Sequence, residues 1–216
     1  MLALNLGPTR KRLRVLCLGA HSDDIEIGCA GTLLRWLAEY EAVEFTWAVL
    51  SAADARADEA RRSAEALLDG AAALDIVLGD FEDAHLPAQF RRAKAFVGAL
   101  KDRCEPDVVL THHLADAHQD HRLVAELAWQ TWRDHLILEY EIPKYEGDLG
   151  RPNLFAVLPE AIAQRKIDHL LVHFASQRSK DWFRAETFAS LMRLRGVECR
   201  SASGWAEAFH ARKVTL

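Results

Sequence analysis

The chain has 216 residues, half of them hydrophobic and 27% charged, with 27 Lys and Arg against 32 Asp and Glu for a formal net charge of -5. That is the balance of a globular protein able to bury about 70% of its unfolded surface, so no disulfide or metal is needed merely to fold. There is no basic excess to draw nucleic acid or an anionic membrane, and no apolar run approaches the ~20 residues of a membrane span.

The first residues are apolar (Met1-Leu2-Ala3-Leu4) and turn basic only at Arg10-Lys11-Arg12, the reverse of a secretory signal. Cys17, Cys29, Cys104 and Cys199 form no Cys-x-x-Cys pair, so they are expected to be reduced thiols of a cytoplasmic protein. Residues 1–12 are expected to form an N-terminal extension. Leu13 to Ala20 is a short apolar run closing on Gly19, which reads as a buried strand. Thr32 to Tyr40 sets Leu33, Leu34, Trp36 and Leu37 at helical spacing, and Phe45 to Leu50 is a second strand. Arg56 to Leu68, rich in Ala, Arg, Glu and Leu, is a high-propensity helix, and Asp75 to Leu78 a third short strand. Phe90 to Arg103 is helical and ends before Pro106; Asp107 to Thr111 is a fourth strand; Arg122 to Arg133 is a helix.

In the less regular last third, Leu136 to Tyr140 and Leu154 to Leu158 are expected strands. A helix opens at Pro159-Glu160 and runs through His173, and another spans Lys180 to Leu194, stopped by Gly196. Alternating strands and helices imply βαβ units. The expected fold is one α/β domain over residues 13–216, Rossmann-like, with a largely parallel sheet covered by helices on both faces and an active site at the carboxyl ends of the strands.

Two strand ends carry unusual side chains. The first reads Gly19-Ala20-His21-Ser22-Asp23-Asp24-Ile25-Glu26-Ile27-Gly28, and the fourth Thr111-His112-His113-Leu114-Ala115-Asp116-Ala117-His118-Gln119-Asp120-His121. A divalent metal takes neutral imidazole and carboxylate, and a catalytic zinc keeps one position open. His21 and Asp24, three apart at a strand-to-helix turn, can face one point while Asp23 points elsewhere. His121 would complete a two-His, one-carboxylate set, provided the two strands are neighbours. A lone Asp-Asp after a strand is ordinarily a helix N-cap, but two such clusters are hard to explain that way.

At these residues the chain resembles the PIG-L/LmbE-like zinc-dependent de-N-acetylases. The first motif of that family, Ala-His-Pro-Asp-Asp followed by an acidic residue and Gly, matches Ala20 to Gly28, with Ser22 in place of Pro. The second, Asp-x-His-x-Asp-His, matches Asp116 to His121. Weaker likenesses lie at Arg56-x-x-Glu59, Phe81-Glu82-Asp83, Pro106 to Val109, Tyr140 to Pro143, Ser176-Gln177 and Ala206 to Phe209, so the match covers about residues 13–212.

The resemblance implies hydrolysis of an acetamide on an amino sugar or glycoconjugate, releasing acetate and a free amine. It implies Zn2+, with Fe2+ or another divalent ion as substitutes, on His21, Asp24 and His121. Asp23 would be the general base, a protonated His118 would stabilise the oxyanion, and Asp120 would orient His118 and favour its cation. Arg56, Asp116 and Glu141 are the candidate substrate-binding residues. For Arg56 a surface pair with Glu59 is as good a reading, and Glu141, like Glu207, suits a buried ion pair. His112 and His113 are read as structural, Trp182 and Trp205 as core, and Asp83 and His85 as at most rim residues. The resemblance implies a small acetylated sugar or glycoconjugate as the partner and a homo-oligomer, a trimer or hexamer, while the charge balance argues against nucleic acid.

Rival readings fit the residues less well. A dinucleotide-binding protein lacks the Gly-x-Gly-x-x-Gly turn after its first strand. A non-haem iron oxygenase would use the same ligand types but has no need of Asp23 or His118. A non-catalytic metal-binding module, or a hydrolase of another amide, would share the ligands but not the substrate.

Overall fold

The computed structural model describes residues 11–215. In chain order the elements are β1 (Arg12–His21), α1 (Asp24–Glu39), β2 (Ala42–Ser51), α2 (Asp54–Leu67), β3 (Ala73–Leu78), α3 (Phe90–Ala99), β4 (Val108–His112), α4 (Gln119–Thr131), β5 (Leu136–Tyr140), β6 (Leu154–Val157), α5 (Glu160–His173), α6 (Ala185–Glu198) and β7 (Ala206–Ala211). The strands form a sheet in the order β3-β2-β1-β4-β5-β7-β6, parallel except that β7 runs antiparallel to both β5 and β6.

Strand periodicity explains the layering. In β1, Leu13, Val15 and Cys17 face one way and Leu16, Leu18 and Ala20 the other, and all are buried. The first set joins a core with α1, α2, α5 and α6; the second joins a core with α3 and α4. The sheet is thus covered on both faces, as expected from its continuous apolar strands. The chain moves outward from β1 to β3, then returns to place β4 on the other flank of β1. The carboxyl ends of β1 and β4 therefore flank the crevice where the strand order reverses.

Several boundaries differ from the sequence reading. Helix α1 begins at Asp24, not Thr32, and so runs through Gly28 and Gly31. Those residues lower helix propensity but admit close neighbours: a Cβ on Gly28 would overlap the Tyr140 ring, and one on Gly31 would meet Leu158 and Glu207. Helix α6 starts at Ala185 rather than Lys180 and continues past Gly196 to Glu198. Gly196 is there for close approach, since an added Cβ would strike the Gly204 carbonyl. Strand β7 was not among the expected strands. Of the extension placed at residues 1–12, all but the last two residues lie outside the described residues; Arg12 already opens β1 and pairs with Glu44 at 2.7 Å.

Beneath α1 lies a buried ion pair. Lys166 Nζ is 2.6 Å from Glu207 Oε1 and also donates to the Ile27 carbonyl at 2.6 Å. Glu207 accepts from Gly31 N (2.9 Å), Thr32 N (2.7 Å) and Thr32 Oγ1 (2.6 Å). Among the described residues no helix is long and apolar enough to cross a membrane.

Candidate metal and catalytic centre

β1 ends at His21, and α1 starts at Asp24. Asp23 occupies the N-cap position but makes no side-chain cap, so its carboxylate is free to point elsewhere. Asp24 instead folds back, Oδ2 accepting the His21 N–H at 2.6 Å, which turns both side chains toward β4. β1 and β4 are hydrogen-bonded neighbours from Val15–Val108 to Cys17–Leu110, so the neighbouring-strand condition is met. Beyond that point, the His112 side chain continues the ladder: its Nε2 accepts the Ala20 N–H at 3.0 Å.

The three expected ligands converge. His21 Nδ1 lies 3.1 Å from His121 Nε2 and 3.3 Å from Asp24 Oδ2, and His121 Nε2 lies 3.5 Å from Asp24 Oδ1. Donors held about 2.0–2.1 Å from a tetrahedral zinc would be roughly 3.3–3.4 Å apart, and the His21–His121 and His21–Asp24 separations are of that order, although His21 and His121 approach different oxygens of Asp24; His118 forms a further donor group with His21 and His121. All three residues are buried. The outer nitrogens are engaged as well. His121 Nδ1 donates to Asp116 Oδ2 at 3.0 Å; His21 Nε2 faces Asp83 Oδ1 at 2.9 Å and Asp120 Oδ2 at 3.3 Å. A carboxylate behind each imidazole fixes its tautomer and leaves the other nitrogen facing the centre of the cluster, as in a histidine that can hold a metal.

His112 also reaches Asp24, at 3.0 Å, and with His121 and Asp24 could make an alternative donor group. Two observations disfavour it. Its Nε2 already accepts the Ala20 N–H, and its ring stacks on His121 at 3.9 Å and 15°, so the two lone pairs run side by side instead of converging. Its Nδ1 is buried without a partner.

Electrostatics separates the two adjacent aspartates. Burial pushes Asp24 up, but the imidazoles of His121, His112 and His21 together outweigh it and hold the carboxyl well below its usual range. Asp23 is raised, by burial first and then by Asp24, against the pull of Arg56, His21 and Lys180. Arg56 donates to Asp23 Oδ1 at 2.8 Å and sits 3.5 Å from Asp83. It is not paired with Glu59, which accepts instead from Ser176 N (3.0 Å) and Oγ (2.6 Å). Burial works against a charged His21, yet Asp24, Asp120 and Asp83 outweigh it and hold the ring's pKa well above the usual value. The pocket draws a positive charge to this point, which a divalent ion can supply.

The expected link between Asp120 and His118 is different. The Asp120 carboxylate faces His21 and accepts the Leu86 N–H at 3.1 Å; the Asp120 backbone N–H donates to His118 Nδ1 at 3.2 Å, which caps α4. His118 is held below its usual pKa by burial, then by His121 and His21, so the cation expected from Asp120 is disfavoured. Asp116 is taken up by His121 Nδ1, by the His118 backbone N–H (2.8 Å) and by Lys144 (3.0 Å). Glu141 is paired with Arg195 at 2.5 and 2.8 Å, and both line a small cleft beside Gly28 with Lys166 and Glu207. Asp83, read only as a rim residue, stands directly against His21. Its sequence signal was the Phe81-Glu82-Asp83 likeness.

A family model described as GlcNAc-PI de-N-acetylase matches residues 16–132, the span that carries both strand ends. An Escherichia coli (strain K12) protein described as "Uncharacterized deacetylase YaiS" is 32% identical over 153 residues, 64% of this chain and 78% of the relative. Among solved structures, the N,N'-diacetylchitobiose deacetylase of Pyrococcus horikoshii superposes with TM-score 0.71 at 19% identity, covering 92% of this chain and 83% of that one. GalB, the 4-carboxy-2-hydroxymuconate hydratase of Pseudomonas putida KT2440, superposes with TM-score 0.67 at 20% identity, covering 94% and 98%. A deacetylase and a hydratase on one fold show that the reaction has to be argued from the site. By the matched half of its sequence, containing the His21–Asp24 turn and the Asp116–His121 loop, the chain belongs to the PIG-L family of de-N-acetylases.

Proposed function

We propose that this protein is a metal-dependent hydrolase that removes the N-acetyl group from an acetylated amino sugar or its glycoconjugate. The observation that carries the reading is the division between neighbours: Asp24 joins a 3.1–3.5 Å donor cluster with His21 and His121, while Asp23 stays outside it, its pKa raised by burial and its carboxylate held in direction by Arg56. A single unit over residues 13–216 would carry the activity, with Zn2+ as the first candidate ion and Fe2+ as the second.

A divalent ion held by His21, Asp24 and His121 would lower the pKa of water to about 7 and polarise the amide carbonyl. Asp23 takes a proton from the attacking water and returns it to the leaving amine; burial raises its basicity toward the working pH, and Arg56 fixes its direction. His118 accepts the Asp120 N–H on Nδ1, so its neutral ring carries the proton on Nε2 and offers a donor to the developing oxyanion without a full charge. Asp120 acts on His21 rather than on His118. Asp116 is better assigned to holding His121, and Glu141 to pairing with Arg195, than to touching sugar. Arg56 and Asp83, partly exposed beside Asp23, remain to meet substrate hydroxyls.

The test is a panel of N-acetylated amino sugars and glycosides incubated with zinc-loaded protein, scored for equal release of acetate and amine. Turnover of at least one supports the proposal; bound metal with no turnover of any of them favours a non-catalytic metal-binding module.

A further inference from the structure

The loop after β5 reaches back to the metal cluster through one ammonium. Lys144 Nζ lies 3.0 Å from Asp116 Oδ2 and 2.8 and 2.7 Å from the two oxygens of Asp148, with side-chain exposures of 8%, 4% and 13%. It also approaches the Ile142 carbonyl at 3.4 Å. The segment it grips is the one that carries the histidines. Asp148 Oδ2 accepts the Ala117 N–H at 2.6 Å, Asp116 Oδ1 accepts the His118 N–H at 2.8 Å, and Asp116 Oδ2 accepts the Nδ1–H of His121 at 3.0 Å.

We infer that Lys144 is a positioning residue for His121, acting through Asp116, with Asp148 as its counter-charge. The argument is geometric. Asp116 Oδ2 receives His121 from one side and Lys144 from another, so the carboxylate cannot turn without breaking one of the two. The His121 ring is then held at its Nδ1 by Asp116 and over its faces by His112 (3.9 Å) and His118 (4.5 Å). What remains free is Nε2, the atom facing His21 and Asp24. Without the ammonium, the Asp116 and Asp148 carboxylates would repel each other and draw Asp116 away from His121. Partners behind a metal-binding histidine commonly change metal affinity about 10–100-fold.

The inference rests on the metal reading proposed above, and its test reads affinity rather than turnover. Zn2+ affinity is measured on the full chain by competition with a chromophoric chelator, together with the thermal midpoint of the metal-free protein. Lys144→Met should weaken Zn2+ binding about tenfold or more, Lys144→Arg should restore part of the loss, and Asp148→Asn, which leaves Lys144 on Asp116, should weaken it less. In an Asp116→Asn background, Lys144→Met should have little further effect, because the two act as one path.

Wild-type affinity in Lys144→Met, an undiminished effect in the Asp116→Asn background, or an equal loss from Asp148→Asn would each overturn the inference. So would a loss that merely tracks a fall in metal-free stability. If Lys144→Met does not fold, Lys144→Gln carries the same expectation. A wild-type protein that takes up no divalent ion refutes the metal reading itself; one that binds normally beside a normal Lys144→Met refutes this inference alone.

Discussion

Replacing Lys166 by Met tests how the fold holds the helix that carries Asp24. Lys166 and Glu207 are 4% and 2% exposed in their side chains, so their pair is out of water. Removing one partner of a buried pair costs about 3–5 kcal/mol, because the other charge is left uncompensated. Here Glu207 would keep its donors on Gly31 and Thr32, which places the expected loss near the low end, about 3 kcal/mol. For a chain of this length each kcal/mol moves the thermal midpoint by about 2–4 °C, so Lys166→Met should melt roughly 6–12 °C lower. Glu207→Gln should be at least as harmful, since it leaves the buried Lys166 ammonium without a counter-charge and sets an amide NH2 against donors at Gly31 or Thr32. The double variant should lose less than the sum of the singles, because it removes the uncompensated charge. Urea unfolding followed by circular dichroism measures all three. A loss below about 1 kcal/mol in Lys166→Met, or full additivity in the double variant, would show that the pair does not hold α1 as described.

Gly28→Ala should gain up to about 1 kcal/mol in helix propensity yet lower stability overall, since the new methyl displaces the buried Tyr140 ring. Tyr140 donates to the Leu18 carbonyl at 2.6 Å and approaches His112 at 3.4 Å, so Zn2+ affinity should fall with it; unchanged stability and affinity would contradict this. Stability should also fall as pH drops from about 6.5 to about 4. His169 and His210 are each lowered to about 4, by burial first and then by His173 and His113 respectively, so the unfolded chain binds more protons across that window. Their contribution is complete above the unfolded value and lost on acidification. His169→Gln should therefore flatten the pH dependence of the urea midpoint, and an unaltered slope would count against it.

Much of the site could be read from residue type and spacing because local turns make it. His21 and Asp24 meet through a three-residue separation at a strand end, and His118 and His121 through one turn of α4. What spacing could not supply is tertiary. Nothing local says that β4 returns beside β1, that Arg56 passes over Glu59 to reach Asp23, or that Lys144 arrives behind Asp116 from a loop 28 residues on. Asp120 shows the limit most plainly: its sequence neighbour His118 was the natural partner, yet the helix start turns its carboxylate toward His21 and Leu86. The fold errors have the same origin. Gly28, Gly31 and Gly196 weaken the helical pattern, while their true role, admitting Tyr140, Leu158 and the Gly204 backbone, depends on distant elements. Strand β7 pairs with β5 and β6, but its run Ala-Glu-Ala-Phe-His-Ala offers small and polar residues in place of the β-branched and apolar ones that mark the other strands.

The division between Asp23 and Asp24 is tested most directly by measuring bound metal and amine release together in the wild type, Asp23→Asn and Asp24→Asn, using a substrate found in the acetyl-sugar panel. The wild type should need the metal to turn over. Asp23→Asn should keep the metal and lose roughly 10²–10⁴-fold in rate, the usual contribution of a general base, whereas Asp24→Asn should lose the metal itself. Retention of metal by Asp24→Asn with its loss from Asp23→Asn, or full activity after chelation, would contradict the account.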